Sequence, residues 1–196
     1  MDTTEVSAMQ FSIPVYLQHL TRMIGMLDHK EIEHAVDLIK GSWQNGRKII
    51  VCGNGGSALT ASHYINDWNK TTYLATRTPF RGHSLSDNTG LITAYANDMS
   101  YADIYSEQLK NLMDAGDLVI AVSGSGNSEN VVRAVQYANA NGGITLAVCG
   151  YDGGKIRTLA HHSLWIRSFD MQICEDLHFV FGHIVMKSLC GSDIRT

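Results

Sequence analysis

The sequence is poor in the features that mark several classes of protein. It has two prolines in 196 residues, Pro14 and Pro79, and neither interrupts a strongly periodic stretch, so no proline-rich linker divides the chain. Apolar runs are too short to span a membrane. Charged residues make up only 17% of the chain, and the net charge is -4, which leaves no basic face for nucleic acid. The four cysteines, Cys52, Cys149, Cys174 and Cys190, form no CxxC pair and lie in mostly apolar surroundings. They read as buried, reduced thiols and not as a metal knuckle or a nucleophile. The opening Met1-Asp2-Thr3-Thr4-Glu5 is acidic and polar, where a secretory signal is basic and then apolar, so a cytoplasmic protein is expected. The length suits one domain over 1–196 with a sizeable core.

What is present is a strand–loop–helix rhythm. Two amphipathic helices are expected between Pro14 and Asn45, broken near Asp28-His29, with Leu17, Leu20, Ile24 and Leu27 at helical spacing. This N-terminal segment, about 10–46, needs a partner surface, and a second copy of the chain would supply one. The α/β core, about 47–192, then starts at KIIVC (48–52). Further strands are predicted at 83–85, LVIAV (118–122), ITLAVC (144–149) and 163–166. Helices are predicted to follow the first glycine loop as far as Trp68, and then over 88–96, 101–113, 129–140 and 171–189. Continuous apolar strands alternating with helices define a doubly wound α/β fold, a parallel sheet covered on both faces. Ligands bind such sheets beyond the carboxyl ends of the strands.

Two loops lie at those ends. Gly53-Asn54-Gly55-Gly56-Ser57 follows the first strand and opens a helix. Glycines there let backbone N–H groups approach an anion, and the helix N-terminus is partly positive. Alone, this loop also fits a dinucleotide fingerprint, or simple turn and cap chemistry. The second loop, Ser123-Gly124-Ser125-Gly126-Asn127-Ser128, again joins strand to helix and offers three hydroxyl donors. The pair suits one phosphate at the end of a small polyol better than a bridging pyrophosphate. The dinucleotide reading also expects an acid about 20 residues after the glycines to hold a ribose, and none closes a recognisable second strand.

CGNGGS, then Ala96-Asn97-Asp98, then SGSGNS, then GYDGGK, in that order, resemble the sugar isomerase (SIS) family, and more narrowly its phosphoheptose isomerases. The resemblance covers nearly the whole chain. It implies a five-stranded parallel sheet, a homotetramer with active sites at subunit interfaces, and a sugar phosphate as ligand. Substrate contacts carried over by the motifs are Asn54, Gly55, Gly56, Ser57, Asn97, Asp98, Ser123, Ser125 and Ser128. Gly124, in the same loop, stands where a hydroxyl residue is common in the family. The implied activity interconverts sedoheptulose 7-phosphate and glycero-manno-heptose 7-phosphate, for bacterial heptose and surface-polysaccharide synthesis. A rival reading is a non-catalytic phosphosugar-binding protein of the same fold.

Aldose–ketose isomerisation moves a proton between C1 and C2 through an enediol, so it needs a base and an acid. His63 and Asp67 lie at i, i+4, on one face of the first loop's helix. Glu175, His178 and His183 are polar insertions in an apolar last helix. The family's metal and catalytic set is His and Glu on the first of these helices, and Gln and His on the last. By spacing these fall on His63, Asp67, Glu175 and His183, with Asp in place of Glu and Glu in place of Gln. All four side chains can bind zinc or another divalent ion. The shorter Asp67 withdraws its carboxylate, so Glu175 is expected to take over or share the role of base, with Asp67 contributing. His183 is the expected acid or metal ligand. Eight residues of regular helix nevertheless put Glu175 and His183 about 12 Å apart along the axis and about 80° apart around it.

Overall fold

The computed structural model describes residues 11–191; the acidic opening and the extreme ends of the 1–196 domain lie outside them. Ser12 caps α1 (Ile13–Gly25), its hydroxyl accepting from Val15 N at 3.4 Å, with Pro14 in the first turn where its missing N–H costs nothing. Asp28 caps α2 (His29–Gln44) by accepting from the backbone N–H groups of Lys30 and Glu31. The helix break expected near Asp28-His29 is therefore a cap.

From there strands and helices alternate: β1 (Ile49–Cys52), α3 (Gly56–Thr76), β2 (Gly82–Ser84), α4 (Thr89–Asp98), α5 (Ser106–Leu112) and β3 (Leu118–Ser123). They continue through α6 (Glu129–Ala140), β4 (Ile144–Cys149), α7 (Gly154–Leu159), β5 (His162–Trp165) and α8 (Met171–Cys190). All strand pairs are parallel, in the order β2-β1-β3-β4-β5. Alternate residues of each inner strand face opposite layers. Ile49, Val51, Ile120 and Val148 pack under α1, α2, α3 and α8. Ile50, Cys52, Val119 and Cys149 pack under α5, α6 and α7. Burial on both faces explains why these strands read as unbroken apolar runs.

Two helices differ from expectation. The helix after the first loop runs to Thr76 and not Trp68, ending at Arg77 in the left-handed region. The segment 101–113 is helical only over Ser106–Leu112. Ahead of it, Tyr101 and Tyr105 turn their hydroxyls to the first loop, and Ser100 Oγ bonds Asp103 Oδ2 at 2.6 Å. The Ser100–Asp103 bond competes locally with a helical start, while the tyrosines are held by the distant first loop.

The strand order reverses between β1 and β3, which pair from Ile49↔Leu118 to Cys52↔Ala121. That is the switch point of a doubly wound sheet, where ligands bind. The loops after β1 and β3 are the two Gly/Ser loops, so they leave the sheet side by side.

Candidate active site

The second loop is folded by its own hydroxyls. Ser123 Oγ accepts from Gly126 N at 3.1 Å, and Ser125 Oγ from Asn127 N at 3.3 Å. Accepting uses a lone pair and leaves each O–H free to donate outward. Ser128 stands at the N-cap of α6 without a side-chain cap bond, so its hydroxyl is not spent on the helix.

The GYDGGK segment buttresses this loop. Gly126, at φ +66°, lies where a Cβ would sit 2.1 Å from Gly153 O. Ile156 N donates to Gly126 O at 3.0 Å, and Lys155 N to Asn127 Oδ1 at 3.1 Å. At Gly124 a Cβ would lie 2.7 Å from Met171 Sδ, so the thioether fills the space a larger residue would take.

The first loop is tied down from behind. Gly53 O accepts from Ser86 Oγ at 3.0 Å and from the Tyr105 hydroxyl. The Asn54 side chain pairs with that of Asn130. Sequence reading missed Asn130 and Tyr105, because Tyr105 falls in an apolar helical pattern and Asn130 looks like an ordinary first-turn residue. Asn97 and Asp98 are exposed at the end of α4, with Asn97 Nδ2 donating to Asp98 Oδ1 at 2.8 Å.

α3 and α8 lie side by side and run parallel. Tyr64 donates its hydroxyl to His178 O, Trp68 Nε1 donates to Gly182 O at 3.0 Å, and Gly182 leaves room for the Tyr64 ring. Running parallel, the two helices bring their polar residues together at two stations.

At the first station the Glu175 carboxylate lies over Gly56, in the first turn of α3. A Cβ on residue 56 would lie 2.3 Å from Glu175 Oε1. No side chain caps this helix start, and its N-terminal dipole favours an anion there.

The second station lies about two turns further along. His63 Nε2 is 3.1 Å from His183 Nε2 and 3.3 Å from Asp67 Oδ2, and His183 Nε2 is 3.8 Å from the same oxygen. Phe179 packs its ring on His63. Zinc with bonds of about 2.0–2.1 Å places tetrahedral ligand atoms roughly 3.3–3.4 Å apart. The triangle fits a single divalent ion, and these three residues form a candidate metal cluster.

Of the four residues expected to share a metal, three come together. Glu175 stands outside, because α8 is regular helix throughout Met171–Cys190 and carries it about 12 Å along the axis from His183.

Other titratable groups take structural roles. Burial pushes the Cys52 and Cys149 thiols up to about 12, so neither is a thiolate nucleophile. His178 is fully buried, and burial pushes its pKa down to about 4 against a smaller opposing effect of the Cys149 backbone.

The parallel sheet, the paired loops at its switch point and the polar stations on α3 and α8 define an SIS domain, and the SIS-domain family matches residues 16–150. Curated relatives narrow the class. The phosphoheptose isomerase of Helicobacter hepaticus is 34% identical over 168 residues, covering 84% of this chain and 85% of that protein. The probable phosphoheptose isomerase of Thermoplasma acidophilum is 34% identical over 170 residues, covering 87% and 93%. The solved phosphoheptose isomerase of Neisseria gonorrhoeae superposes with a TM-score of 0.84 at 25% identity, over 92% of this chain and 97% of that one. The chain belongs to the phosphoheptose isomerase family of SIS-domain proteins.

Proposed function

We propose that the protein is an aldose–ketose isomerase that converts sedoheptulose 7-phosphate to glycero-manno-heptose 7-phosphate, supplying bacterial heptose for lipopolysaccharide or capsule. The observation that carries this reading is the pair of polar stations on α3 and α8, beside two anion-suited loops at one switch point. A binding protein needs the loops alone; proton transfer needs the stations too.

In this reading Ser123, Ser125 and Ser128 donate hydroxyl hydrogens to the phosphate. Asn54, Gly55, Gly56 and Ser57 of the first loop contact the sugar beyond its phosphate. Asn97 and Asp98, at the exposed end of α4, contact the polyol. Glu175 removes the C1 proton while an acid protonates the C2 carbonyl oxygen. The enediol then takes a proton at C2 as the C1 hydroxyl loses its own. The second station lies about 12 Å along the axis from Glu175, so it acts on a different part of the sugar, with His183 as acid or metal ligand and Asp67 orienting the imidazoles. His63, Asp67 and His183 would hold zinc. Bound there, a divalent ion would act as a Lewis acid on a sugar oxygen.

Ile13, Leu17 and Ile24, spaced along α1, are 71%, 56% and 44% exposed. Apolar residues lined up on one helix favour burial against another copy, which supports a homotetramer with interfacial sites. No helix among the described residues is long and apolar enough to cross a membrane. Cys52, Cys149 and Cys174 are buried and free and Cys190, against expectation, is half-buried and free, which suits a reducing cytoplasm.

Incubating the protein with sedoheptulose 7-phosphate, with and without added zinc, and following the aldose product by NMR tests the proposal. Product formation supports it. Intact phosphosugar binding without turnover in either condition would establish the non-catalytic binding protein instead.

A further inference from the structure

The Asn54 amide sits between the two loops and is largely consumed by the protein itself. Its Nδ2 donates to Asn130 Oδ1 at 2.8 Å, and its Oδ1 accepts from Asn130 Nδ2 at 2.9 Å. The same oxygen faces the hydroxyls of Tyr101 and Tyr105, each at 3.2 Å. An amide oxygen has two lone pairs, so these neighbours saturate it, and one N–H remains for any ligand.

Asn130 is only 2% exposed, and its Oδ1 also accepts from Val131 N at 2.9 Å. It belongs to the first turn of α6, directly after Ser128 and Glu129. The reciprocal amide pair therefore joins the loop after β1 to the helix that the loop after β3 enters. Tyr105, buried at 2%, fastens the same point to Gly53 O. The backbone sheet bonds of β1 and β3 end at the bases of the loops. Beyond them, this amide pair spans from the first loop to the first turn of α6.

We propose that Asn130 is a positioning residue for the isomerisation, acting through Asn54. It sets the separation between the second-loop hydroxyls, which hold the phosphate, and the first loop, against which Glu175 lies. This rests on the isomerase reading above. A substrate gripped at its phosphate reaches Glu175 correctly only if that separation is fixed, and misplacement by about 1 Å can cost roughly a hundredfold in rate. Inorganic phosphate, which needs only one loop, does not sense the separation.

The test compares wild type, Asn130→Ala, Asn130→Asp, Asn54→Ala and the double alanine variant. Asn130→Asp keeps the acceptor that Asn54 and Val131 use and loses the donor, so it serves where the alanine variant folds poorly. Thermal melts confirm folding. Calorimetry measures the binding of inorganic phosphate and of sedoheptulose 7-phosphate, and turnover gives kcat and KM.

Asn130→Ala is expected to lower kcat by about a hundredfold and weaken sedoheptulose 7-phosphate binding by about fivefold. Inorganic phosphate affinity should stay within about twofold of wild type, and Asn130→Asp should fall between. The double variant should be no worse than Asn54→Ala, since Asn130 acts through Asn54. Unchanged kcat and sugar-phosphate affinity in a folded Asn130 variant would overturn the proposal. So would additive losses from the two single changes, or equal weakening of both ligands. Should wild type bind sedoheptulose 7-phosphate without turning it over, the isomerase reading fails. The two affinities then decide the clasp alone, and parallel changes refute it.

Discussion

Replacing Gly56 by alanine separates the role of Glu175 from the stability of the fold. The added Cβ would lie 2.3 Å from Glu175 Oε1 and 2.7 Å from Cδ and Oε2, with no other atom as close. Gly56 is the first residue of α3, and its backbone lies outside the left-handed region, so alanine is conformationally acceptable. The group that must yield is the end of a flexible, partly exposed side chain. Displacing it costs little, and the lower helix-coil entropy of alanine offsets that by about 0.5–1 kcal/mol. The melting temperature should hold or rise by about 2–4 °C. The carboxylate, however, must retreat by at least an ångström, which is worth roughly a hundredfold in kcat. The assay is kcat on sedoheptulose 7-phosphate, beside a thermal melt, for Gly56→Ala, Glu175→Gln and the double variant. If Gly56→Ala acts through Glu175, the double variant is no slower than Glu175→Gln. Wild-type kcat in a folded Gly56→Ala variant, or losses that multiply in the double variant, would refute Glu175 as the base.

Metal content divides the α3/α8 cluster from Glu175. Asp67→Asn and His183→Ala should each lose most bound zinc by elemental analysis, while Glu175→Gln keeps it, because Glu175 lies outside the triangle. Acid should weaken the fold through His178. Its folded pKa, about 4, lies below the unfolded value near 6.5, so the unfolded chain takes up the proton first. Stability is then lost as pH falls below about 6.5, by roughly 2 kcal/mol between pH 7 and pH 5 and about 3 kcal/mol in full. Urea unfolding at the two pH values measures this loss, and His178→Leu should remove most of it. At Gly182, alanine would place a Cβ 2.2 Å from Tyr64 Cε1, inside a ring that is fully buried. Overpacking of this kind costs about 1–3 kcal/mol, visible as a lower melting temperature.

Much of this was legible in the residues. KIIVC, LVIAV and ITLAVC stand out because a parallel sheet buries both faces, and the glycine-rich loops mark the carboxyl ends of β1 and β3 at the switch point. Helical spacing puts His63 and Asp67 on one face, and the family resemblance marks them as ligands. The geometry of Glu175 does not, because it depends on α3 and α8 running parallel, which no local pattern specifies. Residues 101–105 fail as helix for a related reason. Their tyrosines are held by hydroxyl bonds to Gly53 and Asn54, partners about 50 residues away in sequence. Asn130 was hidden because its partner, Asn54, also lies in a different strand–loop–helix unit.

Isomerisation through an enediol passes a proton between carbons, and a base partly open to solvent exchanges it. The most direct measurement is therefore NMR of sedoheptulose 7-phosphate incubated with the zinc-loaded protein in D2O. The account predicts an aldose product carrying deuterium at C2, with deuterium also entering C1 of recovered ketose. It predicts loss of both signals in Glu175→Gln. Phosphosugar binding without product or exchange, or undiminished exchange in Glu175→Gln, would contradict it.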